Sequence, residues 1–181
     1  MARRFSTKTY GNDRGLSCTF RQHGATHSHC SLLHGYSLGF KFVFEAEELD
    51  ERNWVQDFGG LDEVKEFLEQ TFDHTCVIAE DDPLLEHFKA MAGWSANTEL
   101  HGKPDEVQAH PVGSKGAIKL VTLPAVGCEA FAEYVWRWTS AWLEQDPLNK
   151  YKNLLGDEHT RVKLLSVEVF EHAGNSAIYE G

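Results

Sequence analysis

Residues 38–44 read Leu-Gly-Phe-Lys-Phe-Val-Phe, and Leu38, Phe40, Phe42 and Phe44 fall on every second position. Side chains alternate across a β-strand, so this stretch presents one strongly apolar face and one mixed face. It is a strand with one side in the core. Upstream, residues 3–10 and 16–22 alternate more loosely and read as strands joined by the turn Gly11-Asn12-Asp13-Arg14-Gly15. Downstream the period changes: Leu61, Val64, Phe67, Leu68 and Phe72 lie on one side of a helix. Within 129–145, Phe131, Tyr134, Val135, Trp138 and Trp142 form a second, aromatic stripe, which predicts a helix packed on a sheet. Further strands are read at 118–123, 161–172 and 177–179. This order predicts one α+β domain over residues 1–181, an antiparallel sheet carrying both helices on one face. Residues 93–117 carry Gly, Pro, Asn, Ser, Lys and two histidines without periodicity, which predicts an irregular, mobile insertion.

With 181 residues and 41% hydrophobic content, the chain is long enough to bury a core without disulfides or structural metal. A net charge of −11 argues against nucleic acid as a partner, because phosphate binding needs a basic face. An anionic small substrate would need a local basic pocket, for which Arg14, Arg21, Lys41, Lys115 and Lys119 are the candidates. No apolar run approaches the roughly 18 residues of a membrane span, and the opening Met1-Ala2-Arg3-Arg4-Phe5-Ser6 lacks the apolar segment of a signal peptide. Cys18, Cys30, Cys76 and Cys128 form no CxxC pair, and their scatter predicts a reducing, cytoplasmic setting.

The chemistry lies in His27-Ser28-His29-Cys30, followed by His34. In an extended segment His27 and His29 share a face and Cys30 takes the other. A hairpin through residues 35–44 could return His34 beside the pair, and three imidazoles with an open position describe a catalytic zinc site. Cys30 then reads as a reactive thiol, since a nearby metal or imidazolium favours the thiolate of a cysteine. Asp73-His74, at the end of the first helix, pairs a carboxylate with a proton-transfer imidazole, or else sets a favourable His at a helix C-terminus. Glu171 ends the strand row of Val167 and Val169. It is either a strand end reaching solvent or a carboxylate able to accept two parallel hydrogen bonds from a heterocycle.

Taken in order, Cys30-Ser-Leu-Leu-His34-Gly, Val55-Gln-Asp57-Phe58-Gly-Gly-Leu61, Phe72-Asp73-His74 with Pro83, Pro124-Ala-Val-Gly-Cys128-Glu129 and Val167-Glu-Val169-Phe-Glu171-His-Ala-Gly-Asn175-Ser176-Ala-Ile-Tyr179 make a pattern. With these pieces the chain resembles the 6-pyruvoyltetrahydropterin synthase / 6-carboxytetrahydropterin synthase family. The resemblance implies a tunnelling fold: a four-stranded antiparallel sheet with two helices on one side, closing with other subunits into a barrel, commonly a homohexamer built as a dimer of trimers. It implies zinc on the side-chain oxygens of 7,8-dihydroneopterin triphosphate, Cys30 as proton-abstracting thiolate, Asp73 and His74 as the second acid/base, and Glu171 with Glu129 at the pterin. The four-residue step from Cys30 to His34 looks like the bacterial carboxytetrahydropterin synthases of the queuosine and 7-deazaguanine pathways. The neighbouring expectations are the pyruvoyl product and a non-catalytic pterin- or purine-binding member that has lost its metal. Where the family has His-Gly-His on its second strand, this chain has Tyr36 in place of the second histidine. The metal ligands implied are therefore His34 with His27 and His29, while His23 and the Tyr36 phenolate are further candidates.

Overall fold

The computed structural model of the protein describes residues 3–92, 116–145, 149–152 and 158–181. The chain runs through β1 (Arg4–Tyr10), β2 (Ser17–Phe20), β3 (His34–Ser37), β4 (Gly39–Ala46), α1 (Asp62–Phe72), β5 (Thr75–Ala79), α2 (Leu85–Met91), β6 (Leu120–Leu123) and α3 (Cys128–Gln145). It ends with β7 (Lys150–Lys152), β8 (Glu158–Thr160), β9 (Val162–His172) and β10 (Asn175–Glu180).

The expected antiparallel sheet is present, in the order β1-β4-β9-β10. Its register sets Tyr10, Phe40, Val169 and Ala177 in one row across the four strands, all buried. Phe42 lies opposite Val167 and Phe44 opposite Leu164, so the phenylalanine stripe faces the core together with the apolar positions of β9. Both long helices cover this face. Phe72 of α1 packs on Phe40 at 4.9 Å between ring centroids, and Trp136 of α3 donates its indole N–H to the Leu164 carbonyl at 3.2 Å. The helices meet each other through Phe67 and Trp138, stacked at 4.0 Å. Asn149 joins the end of α3 to β9, donating to the carbonyls of Leu143 and Val162 and accepting from the Val162 N–H.

The structure corrects the single-sheet expectation: β3, β2, β5 and β6 form a second four-stranded sheet in that order, with β2–β5 and β5–β6 parallel. Its central strand, Thr75-Cys-Val-Ile-Ala79, is buried at every position. Val77 joins the main core, whereas Cys76 and Ile78 pack with Phe88 of α2 and with Leu120. A strand covered on both faces has no alternation to read.

Residues 35–44 are likewise two strands rather than one. The chain changes sheets at Leu38, where the Leu38 N–H bonds the Leu16 carbonyl and Asn12 donates to the Ser37 carbonyl at 2.6 Å. Of the proposed insertion at 93–117, residues 93–115 lie outside the described residues. No helix among the described residues is long and apolar enough to cross a membrane.

Candidate active site

β2 and β3 pair with Phe20 opposite His34 and Cys18 opposite Tyr36, which places His34 and Tyr36 on one face. The His34 ring lies 5.3 Å from Phe20 and 5.4 Å from Tyr36. Between these strands the chain makes an excursion, closed where the Gln22 N–H donates to the Cys30 carbonyl at 2.8 Å. Within it a short 3-10 turn, His29–Ser31, is capped by Ser28. The Ser28 hydroxyl accepts the Cys30 N–H at 3.2 Å and also lies 3.2 Å from the sulfur, toward which it donates. The turn carries His29 to 6.3 Å from His34, ring to ring. His34 Nδ1 lies 2.7 Å from the Leu32 carbonyl. A carbonyl only accepts, so Nδ1 carries the proton and Nε2 keeps a free lone pair.

The opposite wall comes from the end of β9 and the start of α3. Glu171 is half-buried there. Its charge, after burial itself, raises the Tyr36 phenol above its usual range, with Cys30 and Cys128 adding to the effect. Burial, then the carboxylates of Glu171 and Glu129, push the Cys128 thiol up to about 12. Cys128 is therefore a neutral thiol near the Glu171 carboxylate. Gly127 opens the helix in a left-handed conformation, φ 119°, and a Cβ there would stand 2.5 Å from Gln22 Nε2 and 3.7 Å from Glu129 Oε2. The left-handed backbone is what requires glycine here, and it sits close against the Gln22 amide.

The Asp73–His74 pair is made, with Nδ1 to Oδ1 at 2.6 Å. His74 has a left-handed backbone, φ 54°, and 85% of its side chain is exposed. Such a backbone is uncommon outside glycine and concentrates where a side chain must be presented. Thr75 pairs with Cys18 whereas His34 pairs with Phe20, so the pair sits toward the Ser17 end of β2, with β2 between it and β3. Lys119 accompanies it, donating to the Asp73 carbonyl at 3.3 Å, and partial burial lowers its pKa. The structure thus brings His29 and Cys30 of the excursion to His34, with Glu171 acting on the neighbouring Tyr36 and, together with Glu129, on Cys128, and leaves Asp73–His74 as a separate exposed pair. His27 is exposed in the excursion.

The donor set can be tested against zinc. His29 and His34 face each other, and the fixed tautomer of His34 suits a metal ligand. A third donor is not in place: among the described residues no three His, Cys, Asp or Glu side chains converge to hold a metal. Tyr36 is the nearest oxygen donor on that face, and its raised pKa opposes a phenolate.

The description of the 6-pyruvoyl tetrahydropterin synthase family matches residues 12–181. The chain belongs to this family. Family members are pterin-processing lyases, and the fold agrees. An uncharacterized protein of Wolinella succinogenes superposes with a TM-score of 0.69 at 19% identity, over 100% of this chain and 99% of that one. A catalytic-residue mutant of Plasmodium vivax 6-pyruvoyltetrahydropterin synthase gives 0.56 at 14% identity, over 100% and 99%. The Caenorhabditis elegans 6-pyruvoyl tetrahydropterin synthase gives 0.51 at 15%, over 99% and 95%. At these identities the likeness is one of fold. No curated protein matches the chain. For a pterin synthase family member, sequence reasoning missed two parts of this site: the Cys128 thiol near Glu171 and the Gln22 amide against Gly127. The second had a signal, a glycine directly before a helix.

Proposed function

We propose that the chain is a carbon–oxygen lyase converting 7,8-dihydroneopterin triphosphate to 6-carboxytetrahydropterin, a step toward 7-deazaguanines. The observation that carries this reading is that Cys30 and a half-buried Glu171 both act on the Tyr36 phenol beside His34, in a chain of the pterin synthase family. Glu171 accepts the paired N–H donors of the pterin edge, with the neutral Cys128 thiol nearby. Cys30 takes a proton from the substrate side chain, with the Ser28 hydroxyl solvating the sulfur as it does so. His74, oriented by Asp73, delivers a proton during the tautomerisation that accompanies breakage of the carbon–oxygen bond to triphosphate. The carbon–carbon bond of the side chain is then cleaved, the inner carbon staying as the carboxylate and the outer two leaving as acetaldehyde, with one water consumed overall. His29, His34 and His27 are the residues that would hold zinc, and the metal would supply polarisation of the side-chain oxygens.

Within one chain Cys30 and His74 stand apart, so the reading needs a second copy to bring its Asp73–His74 to Cys30. The edges of the first sheet, β1 and β10, which pair with no further strand among the described residues, support such an assembly, a homohexameric barrel built from trimers. Phe5 on β1 and Ile178 on β10 are exposed at 50% and 63%. All four cysteines are free thiols, which supports a reducing, cytoplasmic compartment.

Incubation with 7,8-dihydroneopterin triphosphate and mass analysis of the product tests the reaction, with about one zinc per subunit in the active protein. A pyruvoyl product would move the chain to the neighbouring activity, and binding without turnover would make it a pterin carrier.

Glu171→Gln replaces an acceptor by a donor that faces the donors of the pterin. The cost is on the order of 1.5–3 kcal/mol, more than tenfold in affinity. Calorimetry with a simple pterin should show this loss at unchanged metal content, and equal affinities would remove Glu171 from the site.

A further inference from the structure

Asp82, in the connection from β5 to α2, is a buried carboxylate outside the site described above: the residue is 4% exposed and its side chain has no exposed surface. Its Oδ1 accepts the Leu84 N–H at 2.8 Å, which holds the turn into α2. Its Oδ2 faces Arg21 Nε at 3.1 Å and His23 Nδ1 at 3.9 Å. Neither Oδ2 nor Nε has an aligned hydrogen-bond partner among the described residues, so the attraction between them is Coulombic, at a place shielded from water. Moving either group would leave the other as an unpaired charge in the interior, so the pair fixes the position of both.

Arg21 adjoins Gln22, whose N–H holds the Cys30 carbonyl, and the excursion beyond it carries Ser28 and the Cys30 sulfur. A continuous set of contacts therefore runs from Asp82 through Arg21 and Gln22 to the thiol. We infer that Asp82 and Arg21 are positioning residues, a buried pin at the root of the 22–30 excursion that sets where the Cys30 sulfur stands. The inference rests on the reading of Cys30 as the proton-abstracting group, and neither pin residue contacts substrate. Buried charge pairs are replaceable by uncharged side chains with little loss of stability. What such a pair supplies here is a fixed location for the segment it anchors.

Thiol alkylation reads that location without substrate or metal. Cys18, Cys76 and Cys128 are buried at 2%, 2% and 7% exposure and Cys30 is half-exposed, so iodoacetamide in native buffer reports on Cys30. Asp82→Asn keeps the oxygen that holds Leu84 and removes the charge facing Arg21. The double variant Arg21→Met, Asp82→Asn removes both charges and leaves no orphan. In both, Cys30 freed from Ser28 should be alkylated about tenfold faster, at a single site by mass, while kcat falls and KM stays near its wild-type value. The double variant decides the matter if Asp82→Asn alone does not fold. Alkylation of its Cys30 at the wild-type rate would overturn the inference, and so would modification of all four cysteines, which would make the pair a prop of the whole fold. If wild-type protein has no lyase activity, the functional reading fails while the labelling comparison still stands.

Discussion

Cys30→Ala should lower turnover of dihydroneopterin triphosphate by about 10²- to 10⁴-fold, the usual contribution of a positioned general base. The substitution removes a half-exposed sulfur that packs no core and leaves the two backbone hydrogen bonds of the residue in place, its N–H to Ser28 and its carbonyl from Gln22. The fold and the pterin wall at Glu171 should therefore survive. The measurement is kcat together with calorimetric pterin affinity on the same preparation. Loss of turnover with retained binding is the expected result. Turnover within a factor of two of wild type would show that another group takes the proton.

Phe131→Ala should have the largest effect on stability, about 3–5 kcal/mol in urea unfolding. Phe131 has no exposed surface, and its ring meets Phe20 of the second sheet and Phe72 of α1, each at 5.1 Å. Phe72 continues the contact to Phe40 of the first sheet. One side chain thus joins both sheets and two helices, and the rigid elements around it cannot all close over the space it leaves. Because Phe20 also backs His34, loosening it should disturb the imidazole pair before global unfolding. A loss below about 1 kcal/mol would mean that the site collapses freely and that this junction is not the centre of the core.

The first sheet was legible because β4 is buried on one face only, so its phenylalanines alternate with Lys41, Val43 and Glu45. The same holds for α1 and α3, whose apolar stripes face the sheet. β5 was illegible for the opposite reason, and α2, seven residues long, is too short to display a period. In the site, residue chemistry singled out the run His27-Ser28-His29-Cys30 with His34, whereas Glu171 read equally as a strand end and joined them only through the family resemblance. The thiol of Cys128 was illegible because its neighbour, Glu171, is distant in sequence and their approach depends on how α3 meets β9. The separation of Asp73–His74 from Cys30 was equally hidden, because it follows from the parallel pairing of β2 with β5.

The change of sheets at Leu38 binds catalysis to folding in a particular way. Only Leu38 separates His34–Ser37 from Gly39–Ala46, so the strand that aims the imidazole and the strand that carries three core phenylalanines move as one lever. Slipping the lever by a single residue would turn Phe40, Phe42 and Phe44 outward and rotate His34 off its face in the same movement. A misregistered chain therefore has neither a core nor an imidazole pair, and partly correct assembly cannot yield a half-competent enzyme. The corollary for redesign is that an insertion at position 38 would be read by both sheets at once.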